Sequence, residues 1–493
     1  MKPPKRENIG IRKLFYTFAI KTISMFSDTV LQIKTYFKNL TLNSLGVERD
    51  IYERMDDNDV SSVISMMEEH DIDVDNALSE YNPQLHEVMN RMDKWVKGEG
   101  KYRTEKLPRT RQKYINEVEL FFLLGNPILW KKVDGDDDAF ELFKKYLSSI
   151  YFNTKIRQCK RLAGSETESA FVFNFSQKDG KMHVDAYVAA RSEGYKMREL
   201  FDQYGNMLAL AIGYSLKQND RVVECWDILT TQINYHCERG GIGWRVVKSP
   251  NPTGKINGVY FRQPKSWDGA EPRISREEFL DSKIADANNY FADPIAAATA
   301  DVIANVPKRD KVGKLIQLTG KDSKFEYINP PQNSEIRKAE KEDLKQSILF
   351  DTFTPDMSPE LMKSLGTLTS VGIKRALVLG YIKRANRMEI YEELIGRLSH
   401  VIIAVLKELN PDMASKLDKL EVSFDFAEPF EDDKKDKWTT IATLYQQGVL
   451  SLELAVQMLA LTDAPQEEIE RIQKNAEDRA NLAASAKEGN GNS

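Results

Sequence analysis

The chain has 493 residues, 41% of them hydrophobic and 10% aromatic, which is too apolar for a disordered protein and enough for a sizeable core. Its 70 basic and 75 acidic side chains leave a formal charge of −5, which excludes a global field that would draw nucleic acid or anionic membrane to the whole surface. Three cysteines, Cys159, Cys225 and Cys237, form neither a CxxC pair nor an even framework, a pattern of buried thiols in a reducing compartment rather than of a metal site.

The N-terminal stretch "MKPPKRENIGIRKLFYTFAIKTISMF" is basic and then apolar. Lys21 interrupts the apolar run, no small-residue cleavage site follows, and the run falls short of the roughly 18 clean apolar residues of a membrane span. It reads as an amphipathic helix that packs on its own domain or a partner, with an interfacial membrane helix as the weaker alternative. An acidic region follows from about Gly46 to Glu99, in which Asp71, Asp73 and Asp75 imitate the start of a calcium loop. Asn76 and Asn82 stand where such a loop needs Gly and Glu, so solvated acidic turns are expected there. The run "VDGDDDAFE" at Val133 to Glu141 fails in the same way.

From Thr110 the sequence predicts a helix whose apolar face ends at Gly125, then a second helix over roughly Ala139 to Leu162. The period then changes from 3.6 to 2. "ESAFVFNFS" puts Phe171, Phe173 and Phe175 on one face, "KDGK" supplies a turn, and "MHVDAYVAA" returns as the partner strand. Strands in "MLALAIGYSL", "RVVECWDIL" and "TQINYHC" continue an antiparallel meander. His183 and His236 lie in it without a second ligand or a nucleophile near them in sequence, as core or surface histidines do.

The C-terminal half reads differently. "RISREEFLDSKIADANNYFADP" opens with a capping box, Ser275 to Glu278, and continues as a helix with Phe279, Ile284, Ala287 and Phe291 on its apolar face, until Asp293-Pro294 ends or bends it. Between Asn305 and Gln332, "KLIQLTG" and "KFEYI" read as two strands of a small module. Its basic residues Lys308, Arg309, Lys311, Lys314, Lys321 and Lys324 outnumber its acidic ones, Asp310, Asp322 and Glu326. That excess suits a docking surface at a helical tip. Gly313-Lys314 and Gly320-Lys321 lack the rest of a phosphate loop. A highly charged helix follows, "NSEIRKAEKEDLKQSILF".

Pro355, Pro359 and Gly366 keep Thr354 to Val371 from forming one regular helix, although Ser358-Pro359 suits a short turn at "PELMKSL". After Gly372, apolar residues recur at Leu377, Tyr381, Met388, Tyr391, Ile395, Leu398, Ile402, Val405 and Leu409, a 3.5-residue repeat. It predicts one helix from Gly372 to Leu409, about 57 Å long at about 1.5 Å per residue. Beyond Pro411 come a short strand, an acidic turn, a helix, Gly448, a helix capped by Ser451 and a charged helix. The Ala-, Gly- and Asn-rich end reads as disordered.

Two of these stretches carry a resemblance. "VSFDFAEPFEDDKKDKWTTIATLYQQGVLSLELAVQMLAL" with "EEIERI", and "ILFDTFTPDMSPELMKSLGTLTSVGIKRAL", resemble the portal, or head-to-tail connector, proteins of tailed double-stranded DNA bacteriophages. The order of helix, small mixed module, helix, loop and very long helix is similar to that family's stem, clip, stem, tunnel loop and wing. The likeness spans roughly Thr110 to Asp478 and is strongest after Ser275. It implies an α+β, helix-rich portal fold with wing, stem, clip and crown regions arranged in a ring. Residues 1–109 are then an N-terminal basic helix and acidic helical extension, 110–272 the wing, 273–304 and 333–353 the stem helices, and 305–332 the clip. The tunnel loop falls at 354–371, the long wing helix at 372–419, the crown at 420–478 and a disordered tail at 479–493.

The resemblance further implies a dodecameric ring at one capsid vertex of the virion, assembled in the host cytoplasm. Double-stranded DNA would be packaged through it by the terminase and later ejected. Its partners would be other copies of the chain, the terminase large subunit, head-completion or adaptor proteins, and the major capsid and scaffolding proteins, with no membrane. Asp356, Met357, Glu360, Lys363, Ser364 and Thr367 would line the DNA channel, and the six clip cations named above would meet terminase and adaptor. No catalytic residue, metal or cofactor is expected. The rival readings are a packaging-associated nuclease or NTPase, which lacks a recognisable carboxylate cluster or phosphate loop, and a cytoplasmic helical adaptor without nucleic-acid contact.

Overall fold

The computed structural model describes residues 44–96, 100–178, 181–202, 204–218, 221–241, 243–292, 296–298, 325–327, 334–365, 370–430, 434–459, 466 and 468–476. The expected N-terminal amphipathic helix, "KLIQLTG", the six clip cations and the C-terminal tail lie outside these residues. The chain divides into two compact units, one of residues 1–355 with 379–427 and the other of 356–378 with 428–493.

The first unit begins with helices α1 (Ser44–Asp56), α2 (Val60–Met66) and α3 (Asp71–Tyr81), and the short strands β1 (Lys94–Val96) and β2 (Gly100–Tyr102). The expectation of solvated acidic turns is corrected here: Asp71 and Asp73 sit in the first turn of α3, where carboxylates favour the helix dipole. Asp71 and Asp75 also pair with Arg191. Helix α4 (Arg111–Leu124) leads to strand β3 (Leu129–Asp134), then α5 (Asp137–Ser149) and α6 (Phe152–Glu166). The single helix expected over Ala139 to Leu162 is therefore two, broken where Tyr151 takes a left-handed conformation at φ 54°. Asp136, in the second acidic run, caps α5 by accepting from Asp138 and Ala139 amides at 2.9 and 3.4 Å.

Strands β4 (Glu168–Lys178) and β5 (Lys181–Ala189) form the expected hairpin. They are followed by β6 (Lys196–Phe201), β7 (Met207–Gln218), β8 (Arg221–Leu229), β9 (Ile233–Arg239), β10 (Trp244–Pro250) and β11 (Gly258–Arg262). The single meander resolves into two sheets, one of five strands in the order β10-β9-β8-β7-β6 and one of three in the order β11-β4-β5. Period-2 alternation explains the layering. Ala170 and Val172 face Met197, Leu210 and Ile212 of the five-stranded sheet. Phe171 and Phe173 face the other way, into a core with α4, α5, α6 and a long helix. Ile51, Met55, Val60 and Val63 of α1 and α2 cover the outer side of the five-stranded sheet, against Ala209, Ala211, Trp226 and Ile228.

Helix α7 (Glu271–Ala292) starts one turn before the expected capping box, after Gly269 at φ 82° and with Pro272 in its first turn. Ser275 lies inside the helix and its hydroxyl donates to Glu87, so Ser275 to Glu278 is not a cap. Residues Ala296–Ala298 (β12) pair antiparallel with Phe325–Tyr327 (β13). The second strand of the small module thus pairs with a segment expected as stem helix. Helix α8 (Ser334–Asp351) matches the expected charged helix. The second unit holds α9 (Pro359–Leu365) and α10 (Ser370–Ala376). Helix α11 (Val378–Leu409) is the long one, at 32 residues and about 48 Å. A turn at Leu377 separates α10 from α11, so the helix expected from Gly372 is interrupted near its start. Strand β14 (Glu421–Asp425) pairs with β3. Helices α12 (Lys434–Gln446) and α13 (Leu452–Leu459) belong to the second unit and are joined through Gly448 at φ 70°, with Ser451 Oγ accepting from Leu454 N at 3.2 Å.

Candidate functional site

The chain leaves the first unit at Pro355 and returns to it at Leu379, and the two ends of this excursion are fastened together inside the first unit. Thr354 is fully buried, and Lys383, one turn into the returning segment of α11, donates to its hydroxyl at 3.3 Å and to the Ser266 carbonyl at 2.9 Å. Thr352 donates to the Thr354 hydroxyl at 2.9 Å, and Tyr114 donates to the Pro355 carbonyl at 2.9 Å. Phe353 takes a left-handed φ of 48° between the two threonines. That conformation is costly for a bulky residue, so the surrounding hydrogen bonds must hold it.

Behind this closure sits a charged hub. Glu119 of α4 is wholly buried and meets Lys160 of α6 at 2.5 Å, with Arg387 at 2.9 Å and Lys383 at 3.2 Å, both from α11. Gln263 donates to the same carboxylate at 3.1 Å and accepts from the Tyr391 hydroxyl at 2.9 Å. Burial pushes the Glu119 pKa up, but the three cations more than offset it and hold the carboxyl well below the usual range. Burial brings Lys383 down to about 8 against the pull of Glu119. Arg384 reaches the other side of α11 and donates to the carbonyls of Phe426 and Ala427 at 2.9 and 3.1 Å. One turn of α11 therefore ties α4, α6, the 263–266 segment and the end of β14 to the base of the excursion.

The second polar construction runs along α7. Its buried face is not the one expected: Ile284 and Ala287 are only half-buried, and the side chain of Phe291 lies outside the described residues. Phe279 is 40% exposed, with the cations of Arg91 and Lys283 over its ring. The buried positions instead include Glu277, Glu278, Asp281, Ser282 and Asp286. Donors from residues 86–111 meet them in order. Arg111 grips Glu277 through two bonds of 2.7 and 2.9 Å, and Arg109 N donates to Glu278 at 2.7 Å while its guanidinium reaches Asp281. Leu107 N donates to Ser282 at 2.9 Å, and Glu105 N and Arg91 donate to Asp286 at 2.7 and 2.5 Å. Helix α8 pairs with α7 through Arg276–Glu340 at 2.6 Å, Lys341–Asp281 at 2.7 Å, and Arg273–Asp351.

Within the excursion, Asp356 accepts from Ser358 N at 2.9 Å, and Ser358 accepts from Leu361 N at 3.5 Å, which starts α9 as the Ser-Pro pair suggested. Glu360, Lys363 and Ser364 are exposed, Met357 is half-buried, and Thr367 lies outside the described residues. The cations of the hub were not singled out from sequence. Only Arg384, on the opposite side of α11 from the hub, left a signal: the 3.5-residue repeat skips from Tyr381 to Met388, and the core position it misses is occupied by Arg384, 7% exposed. Among the described residues no helix is long and apolar enough to cross a membrane.

The described residues thus combine a sheet-and-helix body, a polar helical pair and an excursion clamped at the root of one long helix, and a family match in its sequence places the chain in the portal class. Residues 60–482 match the family model "Phage portal protein, SPP1 Gp6-like", and the chain belongs to that family and so to the components of phage particles. Among curated proteins the chain is similar to the DNA mismatch repair protein MSH3 of Pyricularia oryzae, 23% identical over 208 residues, which cover 42% of this chain and 15% of that protein. Among solved structures it is similar to a chain in the neck of an empty GTA particle, at 11% identity and a TM-score of 0.40, covering 75% of this chain and 96% of that one.

Proposed function

We propose that copies of this chain close into a ring at one capsid vertex, a dodecamer, through which a terminase packages double-stranded DNA and from which the DNA is later ejected. Membership of the portal family over residues 60–482 carries this reading. Helices α7 and α8 form the stem, residues 305–332 the clip that meets the terminase large subunit and head-completion proteins, residues 354–371 the tunnel loop, and 428–476 part of the crown. A closing ring needs one surface patch to meet a different patch on the neighbour. Ile336 and Phe350, 69% and 65% exposed on the charged α8, are the side chains we assign to that contact.

Moving DNA must not be held. Binding through many phosphate contacts reaches useful affinity by charge alone, so a conduit is served by a mixed lining. In the loop, Asp356 and Glu360 oppose Lys363, which suits brief contacts rather than capture. The clamp of Lys383 on Thr354 gives that loop a fixed root. The reading assigns no catalytic step.

Removal of Met357 to Leu368 tests the loop. Rings should still form by negative-stain imaging while DNA packaging falls. Normal packaging by the shortened protein would overturn the loop assignment, and particles without a central opening would overturn the ring.

A further inference from the structure

The link between α2 and α3, "EEHDID", brings Glu68 and His70 to the edge of β6. Glu68 N donates to the Glu199 carbonyl at 2.9 Å, which fixes the link against that strand. His70 Nε2 and Glu199 Oε1 lie 2.5 Å apart. One ligand atom from each of Glu68, His70 and Glu199 falls within 4.8 Å of the others. The second observation is the state of Glu199 itself. It is only 2% exposed, and its Oε2 is buried with no hydrogen-bond partner. Buried carboxylate oxygens require a donor or a cation.

The neighbouring cations do not supply one. Arg262 stands 3.9 Å from Oε1 and turns its other nitrogen to Asp73 at 3.4 Å. Arg198 turns its two terminal nitrogens to Glu69 and, at 3.5 Å, to Asp71.

We propose that Glu68, His70 and Glu199 bind a divalent cation of the zinc class. One neutral imidazole and two carboxylates balance the charge of such an ion, and a nitrogen ligand favours zinc over magnesium or calcium. With bonds of about 2.0–2.2 Å, tetrahedral ligand atoms sit about 3.3–3.6 Å apart, a spacing the three side chains reach by small rotations, with water in the fourth position. Binding takes the lone pair of His70 Nε2, so any proton on that nitrogen moves to Nδ1 or to solvent. The ion joins the 44–81 extension to the five-stranded sheet. The sequence set metal aside because the cysteines form no CxxC pair and the acidic runs complete no calcium loop; Glu199 lies 129 residues beyond His70, outside any spacing motif.

The test uses the full-length purified protein, stripped with chelator and dialysed against zinc chloride, with bound zinc measured by elemental analysis and ligation followed by the visible absorption of substituted Co²⁺. We expect one zinc per chain, a nitrogen- and oxygen-ligated Co²⁺ spectrum, and slower proteolysis of the 44–81 segment when zinc is present. His70→Gln and Glu199→Gln should each lose the bound metal, with circular dichroism confirming that the variant is folded. If Glu199→Gln does not fold, His70→Gln alone decides. Unchanged zinc content in His70→Gln, a thiolate Co²⁺ spectrum from the buried cysteines, or no zinc retained by the unaltered protein would each overturn the proposal.

Discussion

Glu119 and Lys160 meet at 2.5 Å with neither side chain reaching solvent. A buried ion pair is weak evidence of net stability, because desolvation cancels most of the attraction, but removal of one partner leaves an uncompensated charge. Here the imbalance is sharper, since one carboxylate answers for Lys160, Lys383 and Arg387.

Glu119→Gln should therefore cost about 3–5 kcal/mol. Thermal unfolding of the purified variant measures it. Adding Lys160→Met should recover part of the loss, because one stranded cation is then gone. A loss under about 1 kcal/mol would mean that the remaining cations are already neutral or hydrated, and the hub would not be the anchor described.

Two glycines of α11 make opposite predictions. A Cβ on Gly380 would lie 2.4 Å from the Phe122 ring, which is itself 1% exposed and packed edge-on to Tyr381. Gly380→Ala should destabilise by about 1–3 kcal/mol through overpacking. Nothing lies within 4 Å of the corresponding point on Gly396. Gly396→Ala should stabilise by up to about 1 kcal/mol, the helix preference of alanine over glycine. Melting curves of the two variants should move in opposite directions.

Arg111 holds the fully buried Glu277 through two parallel bonds, the geometry in which arginine is not replaceable by lysine. Arg111→Met should cost about 3–5 kcal/mol, since Arg109 stands at 3.8 Å and is already committed to Asp281. Arg111→Lys should recover only part of it. Denaturant unfolding of the three proteins checks the order.

These polar constructions explain what the sequence revealed and what it withheld. The β4–β5 hairpin was legible because Phe171, Phe173 and their partners alternate strictly. Most of α11 was legible because its apolar repeat is long. Helix α7 misled because beside Ile274 and Leu280 it buries Glu277, Glu278, Asp281, Ser282 and Asp286, types that ordinarily face water, and donors from residues 86–111 and from Lys341 make their burial tolerable. The split of the meander into two sheets could not be read, because a strand's alternation does not say which strand lies opposite. The departure of the excursion at Pro355 lies beside the expected start of the loop at Thr354, but its return at Leu379, later than the expected Gly372, and the meeting of Thr354 with Lys383 depend on contacts across a distance.

His86 supplies a pH test of the strap along α7. It is 7% exposed, with Nδ1 at 2.7 Å from Glu278 and Nε2 at 2.6 Å from the Glu80 carbonyl. Burial pushes its pKa down, but the Glu278 carboxylate and the Glu80 carbonyl outweigh burial and raise it above the ordinary 6.5. A histidine whose folded pKa is raised binds its proton more tightly when folded. Its stabilising contribution is thus fully present below pH 6.5 and is lost as the pH rises through the folded value. The charged protein should accordingly melt higher at pH 6 than at pH 8, with the 86–111 segment the first to become accessible to protease as pH rises. His86→Gln keeps a hydrogen-bonding group without the titration, so it should flatten this slope while lowering stability at pH 6. If the slope of the variant equals that of the unaltered protein, the pH dependence arises elsewhere and His86 is held neutral.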